Sequence, residues 1–153
     1  MASSSKRTKK KTAVEDIMSN KVVAVDADSS VQQVAQEMAK RNVSSVILKD
    51  GEKMVGILTE RDLVRNVCAK DALASKTPAT AIMSAPVQSV NKNSAVEAAA
   101  KIMVDSGVRH LAVEDDYHEL VGMVTATDMA RHLRKRLDVS GAELELLEAL
   151  YME

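Results

Sequence analysis

Phenylalanine and tryptophan are absent from this chain, and tyrosine occurs only twice in 153 residues. Readers of single-stranded nucleic acid stack bases on aromatic rings, and this sequence has almost none to offer. The single cysteine, Cys68, excludes an intrachain disulfide and a thiolate metal cluster, and it reads as a packing residue on a helix. No apolar run approaches the length of a membrane span, and no signal-peptide core follows Met1. The expectation is a soluble protein of the cytoplasm with no membrane partner. Equally absent are a nucleophile–base–orienter set, a His or Cys spacing for a catalytic metal, and a Walker-type loop with its lysine. His118 falls in a turn and His132 on a basic helix, neither beside a metal partner. The chain reads as no enzyme, with no catalytic residue, no metal and no catalytic cofactor.

What is present is an apolar share of 46% carried by Val, Ile, Leu, Ala and nine Met. Methionine in such an interior fills irregular gaps. The beginning of the chain, residues 1–12, is polar and basic and reads as a disordered tail. Its five cations are Lys6, Arg7, Lys9, Lys10 and Lys11, and with a total net charge of −1 the remainder carries about −6.

The sequence is written twice. Ile17-Met18-Ser19 returns as Ile82-Met83-Ser84, and at the same offset Val22, Val25, Ser29, Val31, Ala35, Met38 and Val43 meet Val87, Val90, Ser94, Val96, Ala100, Met103 and Val108. One extra residue enters the second copy near Tyr117, after which GILTERDLVR (56–65) aligns with GMVTATDMAR (122–131). Duplication on this scale implies two copies of one supersecondary unit, each too small to bury its apolar face alone. The reading is a first repeat at 13–68, a linker at 69–81, a second repeat at 82–137 and a C-terminal segment at 138–153.

Each copy reads as strand, helix, hairpin, helix. Strands are expected at 22–25, 45–48 and 54–58, with 110–113 and 120–124 in the second copy. Ser29 with Gln32, and Ser94 with Glu97, have capping-box spacing before apolar residues of helical period. Asn42 and Gly107 stand just past those helices, where positive φ is common. Asp50-Gly51 signals a tight hairpin. Closing helices begin near Thr59 and Thr125, with apolar stripes Leu63, Val64, Val67 and Met129, Ala130, Leu133, Leu137. In the last segment Ser140 and Glu143 cap a short helix whose Leu144, Leu147 and Leu150 share a face; it folds back on its own domain or packs on a second chain.

The strongest local signal is Gly-apolar-apolar-Thr-x-x-Asp, as Gly56, Thr59, Asp62 and again Gly122, Thr125, Asp128. It has two readings. Thr-x-x-Asp is a helix cap that serves stability. It also suits a ligand, because glycine lets a bound group approach the backbone, a helix start favours phosphate, and an acidic residue accepts hydrogen bonds from a ribose diol.

The repeated unit, with IMS before the first strand, VSSVIL and VRHLAV as second strands, and GILTERD and GMVTATD at the end, resembles a tandem pair of cystathionine β-synthase (CBS) domains over roughly 14–137. The resemblance implies an α+β fold of two β-α-β-β-α repeats packed sheet to sheet about a pseudo-twofold axis, with two clefts and frequent pairing into disc-like homodimers. It also implies AMP, ADP, ATP or S-adenosylmethionine as ligand. Carried over by position, one cleft would combine Thr59, Arg61 and Asp62 with Met83, Gln88, Val108, Arg109 and His110. The other would combine Thr125 and Asp128 with Met18, Val23, Val43, Ser44 and Ser45. The first is richer in cations, which makes it the stronger expected site for phosphorylated adenosine.

The leading expectation is therefore a non-catalytic regulatory module that signals to an unidentified protein target by a change in inter-repeat or dimer geometry. Two alternatives come from other classes. One is an interaction protein for RNA, DNA or the ribosome, using Lys6, Arg7, Lys9, Lys10 and Lys11, joined by the 131–136 cluster and gated by nucleotide. The other is a purely structural dimerisation module.

Overall fold

Short Val, Ile and Leu runs, broken by turn residues, form two three-stranded sheets with helices, an α+β arrangement. The computed structural model describes residues 10–136 and the single positions Gly141, Glu145, Leu146 and Ala149. Lys6, Arg7 and Lys9 lie outside the described residues, as do Leu137, Ser140, Glu143, Leu144, Leu147 and Leu150, on which the C-terminal helix expectation rests. The chain divides into two compact units, one of residues 19–89 and one built from both chain ends, residues 1–18 with 90–153.

In the contiguous unit, β1 (Ala24–Asp26) leads to α1 (Val31–Arg41), followed by β2 (Ser45–Asp50) and β3 (Lys53–Thr59). The sheet order is β1-β2-β3, with β1 parallel and β3 antiparallel to β2. The parallel pair needs the α1 crossover, whereas β2 and β3 join through a two-residue turn at Gly51, φ 59°, between paired Asp50 and Lys53. Val34 and Met38 of α1 are buried with Val46, Leu48 and Leu58 of the sheet, so helical and strand periods converge on one core. The closing helix α2 (Glu60–Leu63) does not continue as α; it widens into a π-helix over Val64–Cys68. Leu63 and Val67 still reach the core, but Val64 is 59% exposed, which corrects the apolar stripe expected there. Cys68 is exposed on that turn, not packed as expected.

The other unit repeats the plan with β4 (Ser89–Asn91), α3 (Val96–Ser106), β5 (His110–Glu114), β6 (Leu120–Thr125) and α4 (Ala126–Arg136). Its core joins Val90, Ala99, Met103, Leu111, Val113 and Val124. Here the closing helix is α throughout its 11 residues. Met129 packs on the core while Leu133 is half exposed, again trimming the expected stripe. Asn42 and Gly107 both adopt the left-handed conformation, φ 52° and 64°, at the ends of α1 and α3.

Each core is completed by the segment that precedes the other repeat. The Val96 N–H that opens α3 donates to Thr12 C=O at 3.1 Å, and Val14 N–H donates to Ser94 C=O at 2.8 Å. The pattern recurs where Val31 N–H, opening α1, donates to Thr77 C=O at 2.8 Å and Ala79 N–H donates to Ser29 C=O at 2.9 Å. First-turn N–H groups have no partner within a helix, so these carbonyls supply what the helix cannot. Val14 and Ala79 follow into opposite cores and are both 0% exposed.

Helix starts also correct the expected caps. Ser30 caps α1, not Ser29: its Oγ accepts from Gln33 N–H at 3.2 Å and its N–H donates to Gln33 Oε1 at 2.9 Å. The equivalent position before α3 is Ala95, which has no side chain to cap with, so Ser94 and Glu97 form no box. Glu97 instead lies 3.5 Å from Arg136.

Val14→Ala is expected to cost about 2 kcal/mol through the missing methyls and a residual cavity. The exchange makes a sharper claim: amide hydrogen exchange in that variant accelerates in β5 and β6, and not in β2 and β3, although Val14 leads the first repeat.

Candidate ligand-binding site

The two Thr-x-x-Asp motifs fold into caps with the same three hydrogen bonds. In the first, Thr59 N–H and Thr59 Oγ1–H both donate to Asp62 Oδ2 at 2.8 and 3.0 Å, and Asp62 N–H donates to Thr59 Oγ1 at 3.3 Å. Thr125 and Asp128 repeat these three bonds at 2.8, 3.0 and 3.3 Å. The cap reading of the sequence is thereby realised, but it engages only one oxygen of each carboxylate. The other oxygen is where the copies part. Asp128 Oδ1 has Arg131 at 3.6 Å, whereas among the described residues Asp62 has no ion pair. Arg65 stands at the same spacing from Asp62, but it sits in the π-helix, whereas Arg131 sits in a regular α-helix.

Around the first cap, Ser45 pairs with Thr59 across the β2–β3 ladder, and Glu60 N–H donates to Ser44 C=O at 3.0 Å. Val43 and Met83 pack against the core that holds buried Val23. The 82–84 segment runs along β3, with Ile57 N–H to Ser84 C=O at 3.0 Å and Ser84 N–H to Ile57 C=O at 2.9 Å. Arg61 is exposed and Gln88 half-buried. Around the second cap, His110 pairs with Thr125, and Ala126 N–H donates to Arg109 C=O at 3.0 Å. Met18 and Val108 pack on that unit's core, Arg109 is exposed and His110 half-buried.

Within each unit, then, Thr59 and Asp62 gather with Val43, Ser44, Ser45 and Met83, while Thr125 and Asp128 gather with Arg109 and His110. Glycine at position 56 has a different reason from the ligand approach expected for it. A Cβ there would meet the Met83 side chain, lying 2.8 Å from its Cγ and 3.1 Å from its Cβ. The Asp128–Arg131 pair is the contact that sequence reasoning passed over. Its i,i+3 spacing is a readable signal, yet Asp62 and Arg65 carry the same signal without the pair. Among the described residues, no group of three or more His, Cys, Asp or Glu is placed to hold a metal ion, and no helix is long and apolar enough to cross a membrane.

The CBS domain model matches residues 14–69 and again 79–135, so the chain belongs to the CBS domain family, with two copies in tandem. A CBS domain-containing protein of Bacillus subtilis is 29% identical over 78% of this chain and 84% of its own length. An uncharacterised protein of Methanopyrus kandleri is 32% identical over 76% of this chain, which spans 60% of that relative. A CBS domain pair solved in complex with 5′-methylthioadenosine and S-adenosyl-L-methionine is 26% identical with a TM-score of 0.74, covering 84% of this chain and all of that one.

Gly56→Ala is expected to push Met83 off β3 and to cost about 1–3 kcal/mol by overpacking, read as a lowered melting temperature. Pairing it with Met83→Ala should recover part of that stability; an additive double variant would show that Met83 is not the obstacle. Asp62→Ala removes the carboxylate half of the capping box and should cost about 1 kcal/mol, and Asp62→Asn, which keeps an acceptor for Thr59, should cost less.

Proposed function

We propose that this chain is a regulatory module without catalysis of its own, which binds adenosine-containing ligands at its two Thr-x-x-Asp caps. The observation that carries this reading is the half-used carboxylate of Asp62. Thr59 fixes its orientation through one oxygen, leaving the other to accept hydrogen bonds from a vicinal diol such as that of ribose. A charged acceptor held in place in advance loses little entropy on binding. The solved CBS pair with two adenosine-derived ligands supports this ligand class for the family. Val43, Met18, Met83 and Val108, all partly exposed, offer aliphatic surface for a base backed in the first unit by buried Val23, and Arg61 and Arg109 offer exposed cations for a phosphate, which favours AMP, ADP or ATP over a cationic sulfonium. At the second cap a diol has to compete with Arg131 for Asp128 Oδ1, so that cap binds more weakly. Ligand then biases the module between geometries in proportion to its differential affinity for them, and a partner or a second copy of the chain reads the change.

Saturating AMP or ATP is expected to raise the melting temperature by several degrees, as ligand at a hundred times its Kd contributes about 2.7 kcal/mol. Asp62→Asn should weaken the tighter site at least tenfold, whereas Asp128→Asn should leave it within twofold. Arg131→Gln should strengthen the weaker site. The family pattern assigns Arg109 and His110 to the ligand held by Asp62, and non-additive effects in an Asp62→Asn, Arg109→Gln cycle would support it. If millimolar AMP, ADP, ATP and S-adenosylmethionine all leave the melting curve and the calorimetric baseline unmoved, the proposal fails.

A further inference from the structure

The two closing helices start alike and part after Leu63. In the aligned stretches 56–65 and 122–131, Leu63 and Met129 hold equivalent positions, and each packs on the core of its own unit. One turn later the equivalents are Val67 and Leu133, and they differ: Val67 is 6% exposed and Leu133 50%. The backbone differs at the same place. Ala69 N–H donates to Val64 C=O at 2.8 Å and Ala72 N–H to Val67 C=O at 3.0 Å, each reaching back five residues. A turn of that kind holds one more residue than an α turn, so the side chains beyond it are rotated relative to the core.

The arginines divide in the same way. In α4, Arg131 Nη1 lies 3.6 Å from Asp128 Oδ1, whereas in the widened turn Arg65 makes no ion pair among the described residues. Two outcomes therefore compete after Leu63. One is the π turn, with Val67 in the core and Arg65 off Asp62. The other is an α turn like that of the second copy, with Arg65 on Asp62 and residue 67 half exposed. Burial of part of one valine side chain and one exposed i,i+3 ion pair are small contributions of similar order. A bound ligand tips a helix balanced between two such terms.

We propose that residues 62–68 form a two-state latch over the Asp62 carboxylate. In its α form Arg65 takes the second oxygen of Asp62 and competes with a diol; in its π form, as in this structure, that oxygen is open. The latch rests on the reading of Asp62 as a diol acceptor and names how that site is regulated. A ligand that takes the oxygen prefers the π form, so it holds Val67 in the core and fixes the register of the residues that follow. Those residues lead to Thr77, whose C=O accepts from the Val31 N–H that opens α1 at 2.8 Å, and to buried Ala79. Occupancy at Asp62 is thereby coupled to the segment that completes the core of its unit. The second copy has no such switch, because its helix is α throughout and its arginine is already engaged.

The test is calorimetric titration of AMP into the full chain. Deleting Asn66 removes the additional residue of the turn, returns it to α and should weaken the tighter site several-fold. Adding Arg65→Gln to the deletion should bring affinity back to within twofold of the unsubstituted chain, whereas Arg65→Gln alone should not weaken it. A loss that Arg65→Gln leaves unrestored overturns the latch, as does a folded deletion variant that binds AMP at full strength. If the deletion does not fold, Val67→Ala decides in its place: it lessens the gain from the π form, with the same loss and the same rescue expected. A measurement without ligand separates the latch from the binding proposal. Melting-temperature shifts of Asp62→Asn and Arg65→Gln should add in the unsubstituted chain and be non-additive once Asn66 is deleted, as those of Asp128→Asn and Arg131→Gln should be in both backgrounds. Additive shifts in the deletion background overturn the latch even where AMP binds. Non-additive shifts in a chain that binds no AMP support the two-state helix and count against the ligand.

Discussion

Four main-chain hydrogen bonds hold the plan of this molecule together: Val96 to Thr12, Val14 to Ser94, Val31 to Thr77 and Ala79 to Ser29. Each pair satisfies an N–H group at a helix start and delivers an apolar residue, Val14 or Ala79, into a core that its own repeat does not own. A duplicated unit of this size buries too small a fraction of its surface to stand alone. Taking the leading segment of the other copy enlarges each core and makes the copies interdependent through the chain itself. One unit consequently closes only when residues 10–18 reach residues 90–125, a long-range contact of the kind that forms late in folding.

The same economy of parts governs the ligand-binding candidates. The aspartate that would grip a diol is also the residue that caps the helix, so its orientation is set by secondary structure before any ligand arrives. Preorganisation of this sort ties binding to fold stability, and a variant that removes the carboxylate disturbs both. Under the proposed function it would also let the duplicated sites differ in strength. The caps agree in their three hydrogen bonds, and they differ in what the neighbouring helical turn does with an arginine.

Much of the architecture was legible in the residues because it depends on local rules. The strand-helix-hairpin-helix order follows from period and turn chemistry. Asn42 and Gly107 stood out because few residues tolerate positive φ, and the Asp50-Gly51 turn because few sequences make a two-residue hairpin. The misses occurred where two local choices were nearly equal or where a distant segment decided. Ser29 and Ser30 are both able to cap, and Ser30 does so because the helix begins at Val31, one residue later than the Ser29–Gln32 spacing suggests. Ala95 stands where Ser30 stands before α1 but has no side chain to cap with, so the serine one residue earlier misled the reading. Gly56 looked like space for a ligand, and Met83, twenty-seven residues on, fills it.

By itself the sequence determined that there are two copies, which family they belong to, and that each carries a threonine and an aspartate spaced to bond one another across a helix start. Those properties are set by order and spacing along the chain, which no folding event can alter. Tertiary structure decided which core each leading segment completes. It also decided that Asp62-x-x-Arg65 and Asp128-x-x-Arg131, identical in spacing, differ in outcome. An α-helix keeps residues three apart on one face, while the turn after Leu63 widens to π, and Arg65 makes no ion pair with Asp62 there. That choice is made by packing against the core, which spacing alone does not encode.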